Sequence, residues 1–82
     1  MADEGDVLGR IHELVSAEHT LRERFGRGEL TTEEEHIQLR SLEVQLDQCW
    51  DLLRQRRARA AAGQDPDDAK VRPVTEVEGY LS

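Results

Sequence analysis

Two glutamates hold the strongest claim to chemistry in this chain. Glu18 falls at the centre of an apolar stripe between Leu14/Val15 and Leu21, and Glu35 falls near the centre of a second stripe at a similar level. A facing carboxylate pair in a core is costly, so a proton, an arginine or a metal ion should compensate it. Each glutamate is followed by a histidine (Glu18-His19 and Glu35-His36), with Leu21-Arg22 and Leu39-Arg40 shortly after, a faint internal repeat. Glu33-x-x-His36 also matches the Glu-x-x-His ligand spacing of carboxylate-bridged metal sites. The metal candidates are therefore Glu18, Glu35 and His36.

Dimerised hairpins that gather glutamate and histidine between helices resemble the two-helix encapsulated-ferritin arrangement, and metal binding is the alternative function this implies. Helical phase speaks against it. His36 lies roughly a quarter turn from the centre of its stripe and Glu33 lies farther away, given the 3.6-residue period. The simpler expectation is that Glu18 and Glu35 reach water near the hairpin loop and pair with Arg22 or Arg40, as ordinary rim ion pairs. A polar device that fixes helix register is a further reading of the same residues. No metal and no cofactor is expected.

The remaining reactive side chains point to structure more than to catalysis. His12 and His19 share a flank of the first helix at a separation too large for one ion unaided. Cys49 is the single cysteine and sits on an apolar stripe, where a thiol serves as a small hydrophobe; it excludes an internal disulfide. Arg54, Arg56, Arg57 and Arg59 form the only dense basic patch. It could grip phosphate, but it also complements a helix C-terminus and has Asp51, Asp65, Asp67 and Asp68 as neighbours. Gly-rich phosphate loops, nucleophile elbows and Cys-x-x-Cys pairs are all missing, so no enzyme is expected.

The elements that must position these groups are two helices. Thr31 and Glu34 have the spacing of a capping box, Glu33 to Glu35 crowd the start, and the arginines crowd the end before Gly63 and Asp65-Pro66 stop it. Leu39, Leu42, Leu46, Cys49, Trp50 and Leu53 make its core-facing stripe. A first helix starts at Asp3 or Asp6 and runs to about Phe25, burying Val7, Leu8, Ile11, Leu14, Val15, Leu21 and Phe25. Gly26-Arg27-Gly28 breaks it, and the short connection to Thr31 favours an antiparallel hairpin.

With the turn centred near Arg27, Leu14 lies opposite Leu39, Ile11 opposite Leu42 and Leu8 opposite Leu46. The second helix then overhangs from about Cys49, leaving Trp50 and Leu53 without partners inside the hairpin. Leu30, Ile37 and Val44 repeat every seven residues along another side, the heptad of a coiled-coil seam. Dimerisation into an antiparallel four-helix bundle would cover both regions, and the chain's own tail is the alternative cover. The hairpin is assigned to residues 1–63, and the linker and acidic C-terminal tail to 64–82. In that tail Val71, Val74, Val77, Tyr80 and Leu81 are apolar, and Pro73 opposes a continuing helix. Packing on its own bundle and docking on a partner protein are equally open readings of it.

Composition narrows the class. In 82 residues with one each of tryptophan, tyrosine and phenylalanine, self-sufficient burial is near its lower limit, which favours a stabilising partner. A net charge of -7 with 35% charged residues disfavours nucleic acid. No apolar run reaches the roughly 18 residues of a membrane span, and the acidic start lacks a signal peptide's basic residues, so the cytoplasm is the expected location.

The block Leu46-Asp-Gln-Cys-Trp-Asp-Leu-Leu-Arg-Gln-Arg-Arg-Ala58, then Gly63-Gln-Asp-Pro66, Val71-Arg-Pro-Val and Glu76-Val-Glu-Gly-Tyr-Leu81, is similar to a family of small uncharacterised actinobacterial proteins. The Glu-His pairs near the turn look like that family too. The resemblance covers nearly the whole chain and implies a short, mostly helical, soluble bacterial protein without an assigned activity, so no site residue can be carried over. The expectation is thus an all-α, self-associating binding or adaptor protein. Leu46, Cys49, Trp50, Leu53, Ile37, Val44, Tyr80 and Leu81 are its contact residues; a helical regulator of transcription is a third reading with no motif of its own.

Overall fold

The computed structural model describes residues 3–81, with the side chains of 78–81 outside the described set. It is all-helical over those residues: α1 spans Glu4–Gly26, α2 spans Thr32–Ala61, a 3-10 turn covers Pro66–Asp68 and α3 spans Val74–Leu81.

Both long helices begin on reciprocal capping boxes. At α2 the Glu34 amide donates to the Thr31 hydroxyl (3.1 Å), and the Thr31 amide donates to the Glu34 carboxylate (3.1 Å), as the Thr-x-x-Glu spacing predicts. At α1 the same exchange runs between Asp3 and Asp6, an acid standing where glutamate or glutamine is usual, which settles the start of that helix. Both also end on Schellman motifs around a glycine in the left-handed region, Gly28 (φ 77°) and Gly63 (φ 74°). The Glu29 amide bonds to the Arg24 carbonyl and that of Gly28 to Phe25; Gln64 and Gly63 do the same with Arg59 and Ala60. A Cβ at either glycine would be strained by the backbone angle itself.

The connection between the helices runs from Arg27 to Thr31, so its midpoint is Glu29 and not Arg27. Shifting the midpoint by two residues moves every level of α2 by about four, one helical turn. This corrects the predicted pairing. The ion pair between Glu4 and Arg57 (2.7 Å) fixes the far end of the hairpin, well beyond Cys49. Val7, Ile11 and Leu53 form one buried cluster, with Leu8, Leu46, Cys49 and Leu52 packed around it. Leu53 is 1% exposed and cannot be an uncovered contact residue. Cys49, half-buried against the same cluster, is likewise part of the hairpin and not of an overhang. Their assignment to an external surface fails because one turn of register brings α1 alongside them.

The second seam of α2 divides into three. Leu30 is buried, Val44 is half-buried and Ile37 stays 65% exposed. On a 3.6-residue period Val44, Gln48, Asp51 and Gln55 share a side of α2 roughly opposite the Leu42, Leu46, Cys49 and Leu53 stripe. The C-terminal segment returns along that outer side: Arg56 bonds the Pro66 carbonyl and Asp67, Gln55 reaches Lys70, and Asp51 and Gln48 reach Arg72. A short helix opens directly after Pro73, whose carbonyl accepts from Glu76 and Val77 in the first turn of α3. Val77 is 1% exposed, and α3 packs on α2. Of the two readings of the tail, the structure has it folded on its own chain.

Leu53→Ala is expected to cost about 2–5 kcal/mol, the range for emptying a fully buried leucine site. That corresponds to a loss of roughly ten degrees or more in the thermal midpoint for a domain this small. A melt followed by circular dichroism checks it; a change near zero would return Leu53 to the surface.

Candidate functional site

The acidic and histidine residues that could ligate a metal are distributed, not convergent. With the turn centred on Glu29, Glu18 lies level with Arg40 and Glu35 with Glu23, so the two glutamates no longer face each other. Glu18 accepts two hydrogen bonds from Arg22, one turn away (3.1 and 3.3 Å), the rim pairing that its spacing predicts. Glu35 is half-buried and His36 exposed. His19 pairs with Glu23 through Nε2 (2.8 Å). Among the described residues no group of three or more histidine, cysteine, aspartate or glutamate side chains is placed to hold a metal ion.

The arginine patch is occupied by salt bridges and hydrogen bonds within the chain. Arg56 holds Asp67 (3.0 Å), Arg57 holds Glu4, and Arg59 donates to the Gln64 side chain (3.4 Å). Asp67 was among the predicted partners; Glu4 was not, because it lies 53 residues away in the sequence. Asp51 belongs instead to Arg72.

That pair is the strongest polar feature of the molecule. The Asp51 residue is 1% exposed, the only buried charged residue among those described. The Arg72 guanidinium meets it bidentately, Nε to Oδ2 (2.9 Å) and Nη2 to Oδ1, and Gln55 donates to Oδ2 (2.9 Å). The hydrogen bonds from Arg72 lower the Asp51 pKa, against desolvation, with help from Gln55 and from the charges of Arg72 and Arg54. Gln55 also donates to the Lys70 carbonyl (2.7 Å) while accepting from the Lys70 amide (3.5 Å), and Gln48 donates to the Arg72 carbonyl (3.3 Å). Sequence reasoning placed Asp51 among partners of the basic patch and missed Arg72. The apolar heptad Leu30, Ile37, Val44 continues one step to Asp51, an acid in register with that seam, which marked the position but not its partner.

Two flanks of the hairpin remain. One is a furrow: a cavity of about 390 Å3 lined by Ala17, Thr20, Leu21, Arg24, Gln38, Ser41 and Leu42. It continues past the Arg10–Gln45 hydrogen bond (2.8 Å) into one of about 300 Å3 where Cys49, Leu52, Val7 and Val71 meet Arg10 and Gln48. Burial pushes the Cys49 thiol up, with Arg10 pulling the other way, so at neutral pH it is a protonated apolar group and not a nucleophile. On the opposite flank of α1 lie Leu8, His12, Val15 and His19, beside Leu39, Glu43, Leu46 and Trp50 of α2, as the helical period requires. Here the indole of Trp50 is 42% exposed and Val15 is 52% exposed. Tyr80 and Leu81, predicted as contacts, have side chains outside the described residues.

A hairpin of two capped helices, with a C-terminal strap locked to the outer side of the longer one, defines a small all-α protein over the described residues. The family model described as Protein of unknown function (DUF2630) matches residues 3–82, and the chain belongs to that family. It is 49% identical over 77 residues to Uncharacterized protein Rv0898c of Mycobacterium tuberculosis (strain ATCC 25618 / H37Rv) and to Uncharacterized protein Mb0922c of Mycobacterium bovis. Each alignment covers 94% of this chain and 88% of the relative. No solved structure matches the chain. No helix of the described residues is long and apolar enough to cross a membrane.

The Asp51 shift makes the strap acid-sensitive. A carboxyl whose folded pKa is depressed stabilises the folded form fully above its unfolded value, near 3.9, and loses that contribution as pH falls through the folded value. The strap is therefore expected to hold unchanged from neutrality to about pH 4 and to loosen below it. Following the Val77 amide by NMR during an acid titration checks this. In Asp51→Asn the strap is expected to be weaker at neutral pH and to show no such acid step, and a step of undiminished size there would sink the assignment.

Proposed function

We propose that this protein is a small, non-catalytic helical binding module that self-associates through the Trp50 flank of its hairpin. The observation that carries the proposal is the half-exposed indole. Trp50 stands on a flank with exposed Val15, beside half-buried Leu8, Leu39 and Leu46. Large aromatic groups supply a disproportionate share of binding energy when a partner surrounds them. A chain this short also has little spare core, so covering that flank adds burial the monomer lacks.

The partner best suited to a flat apolar flank between two antiparallel helices is another helical hairpin. Two copies apposed there make an antiparallel four-helix bundle, with the contact repeated by two-fold symmetry. His12, His19 and Glu43 border the flank and give it a polar rim. In this reading the furrow stays clear of the contact, available to a further protein, which is what an adaptor requires. Cytoplasmic location and the absence of catalysis belong to the same proposal.

Sedimentation equilibrium on the full chain tests it. The wild type is expected at twice its monomer mass, and Trp50→Ala is expected to weaken the dimer by about 2 kcal/mol or more, roughly thirtyfold in Kd. Because the indole is only partly buried, helicity should be retained in the variant. A monomeric wild type at high concentration, or an indole as open to iodide quenching at high concentration as at low, would overturn the proposal.

A further inference from the structure

The C-terminal segment is held on α2 in the way a bound peptide is held by a receptor. A buried acid takes its arginine bidentately, one glutamine engages both peptide groups of Lys70, and a second glutamine takes the Arg72 carbonyl. Val77, in the first turn of α3, is then buried where that helix packs on α2. These contacts combine side-chain selection with main-chain recognition, the combination by which peptide-binding surfaces read a sequence. The hairpin core around Val7, Ile11 and Leu53 is assembled without the segment, which packs through its 3-10 turn and α3 against α2. The outer face of α2 thus belongs to a helix held by α1 through residues outside the segment.

We propose that the outer face of α2 is a peptide-binding site and that two copies of this chain exchange occupants, each docking its residues 66–81 on the other's α2. The occupant is identified by complementarity already present: Arg72 and the Lys70 peptide match Asp51 and Gln55, Val77 is buried as α3 packs on α2, and every second copy carries the same set. Exchange recreates each contact between chains, so the closed and exchanged forms differ only in the hinge and in protein concentration. The hinge is the stretch between Ala61 and Pro66, containing Gly63. At φ 74° that residue uses a region open to glycine, and it adopts negative φ as readily, so the chain can leave α2 in a second direction by giving up the Gly63–Ala60 and Gln64–Arg59 closing hydrogen bonds. The face used is distinct from the Trp50 flank, and exchange does not depend on association there.

A charge-reversal pair tests the exchange with full chains. Asp51→Arg alone sets two guanidinium groups against each other at the latch, and Arg72→Asp alone sets two carboxylates there, so each chain repels its own segment. Mixed, the native Arg72 of the first chain meets the native Asp51 of the second. The acid introduced into the second chain's segment likewise meets the base introduced on the first chain's α2. The expected result is a one-to-one mixed dimer, seen by native mass spectrometry, that melts several degrees above either chain alone. No mixed dimer, while Asp51→Arg/Arg72→Asp in one chain regains the wild-type melt, would mean that the latch closes only within a chain and would overturn the proposal.

Wild-type chains, one copy isotopically labelled and one not, provide the measurement that survives any folding defect in those variants. Filtered NOEs between Val77 and α2 should appear between copies at millimolar concentration, and should persist in Trp50→Glu. A dimer whose Val77 contacts are wholly within each chain would refute exchange and leave the Trp50 flank as the contact. Between-copy contacts surviving in Trp50→Glu would establish exchange by itself.

Discussion

The molecule depends on one constraint: α2 has two sides to cover and the chain is short. Its inner stripe, from Leu39 to Leu53, is apolar in the ordinary manner and takes α1. Its outer side, carrying Val44, Gln48, Asp51 and Gln55, mixes apolar and polar groups and takes the returning C-terminal segment. A 30-residue helix spans about 45 Å, and a 23-residue partner cannot follow it to the end. The return segment covers its outer side, and the long helix sets the long dimension of the molecule, 50 Å.

Asp51 shows how the outer side is specified. An isolated buried carboxylate is costly, and a bidentate arginine with a supporting glutamine offsets that cost without necessarily adding net stability. What such a pair does add is register. An apolar segment could slide along α2 by a turn at little cost, but Arg72 has one buried acid to meet, and Gln48 and Gln55 then fall beside the carbonyls of Arg72 and Lys70. Position follows from the requirement that a buried charge be paired. The arginines beyond it work similarly at the surface: Arg56 and Arg57 tie Asp67 and Glu4 to the last turns of α2, bringing the start of α1 and the start of the returning segment toward one region. A patch that looks suited to phosphate is thereby largely satisfied from within.

The Trp50 flank is the reverse case. Nothing in the described fold uses the exposed part of its indole, although tryptophan is the largest apolar side chain and the chain has only one. A hairpin places two flanks at right angles to its core, and here they differ: small and uncharged residues on the α2 side of the furrow, an aromatic and aliphatic strip on the other. This asymmetry gives a two-helix protein two unlike flanks.

The local code was legible without coordinates. Thr31 and Glu34 cap, the arginines and Gly63 close, and the leucine periods mark inner faces, because each depends on residues within one or two turns and on the geometry of a single helix. Long-range matters needed the tertiary structure. The register of α1 against α2 was displaced by a turn because the Schellman closure at Gly28 extends the connection and moves its centre to Glu29, and this took Cys49 and Leu53 from supposed surface to core. Asp51 and Arg72 are 21 residues apart, with nothing in their neighbours to announce the pairing; only the path of the returning chain brings a guanidinium to that carboxylate. Helices are set by neighbours in sequence, whereas a buried ion pair is set by which side of the long helix the rest of the chain must cover.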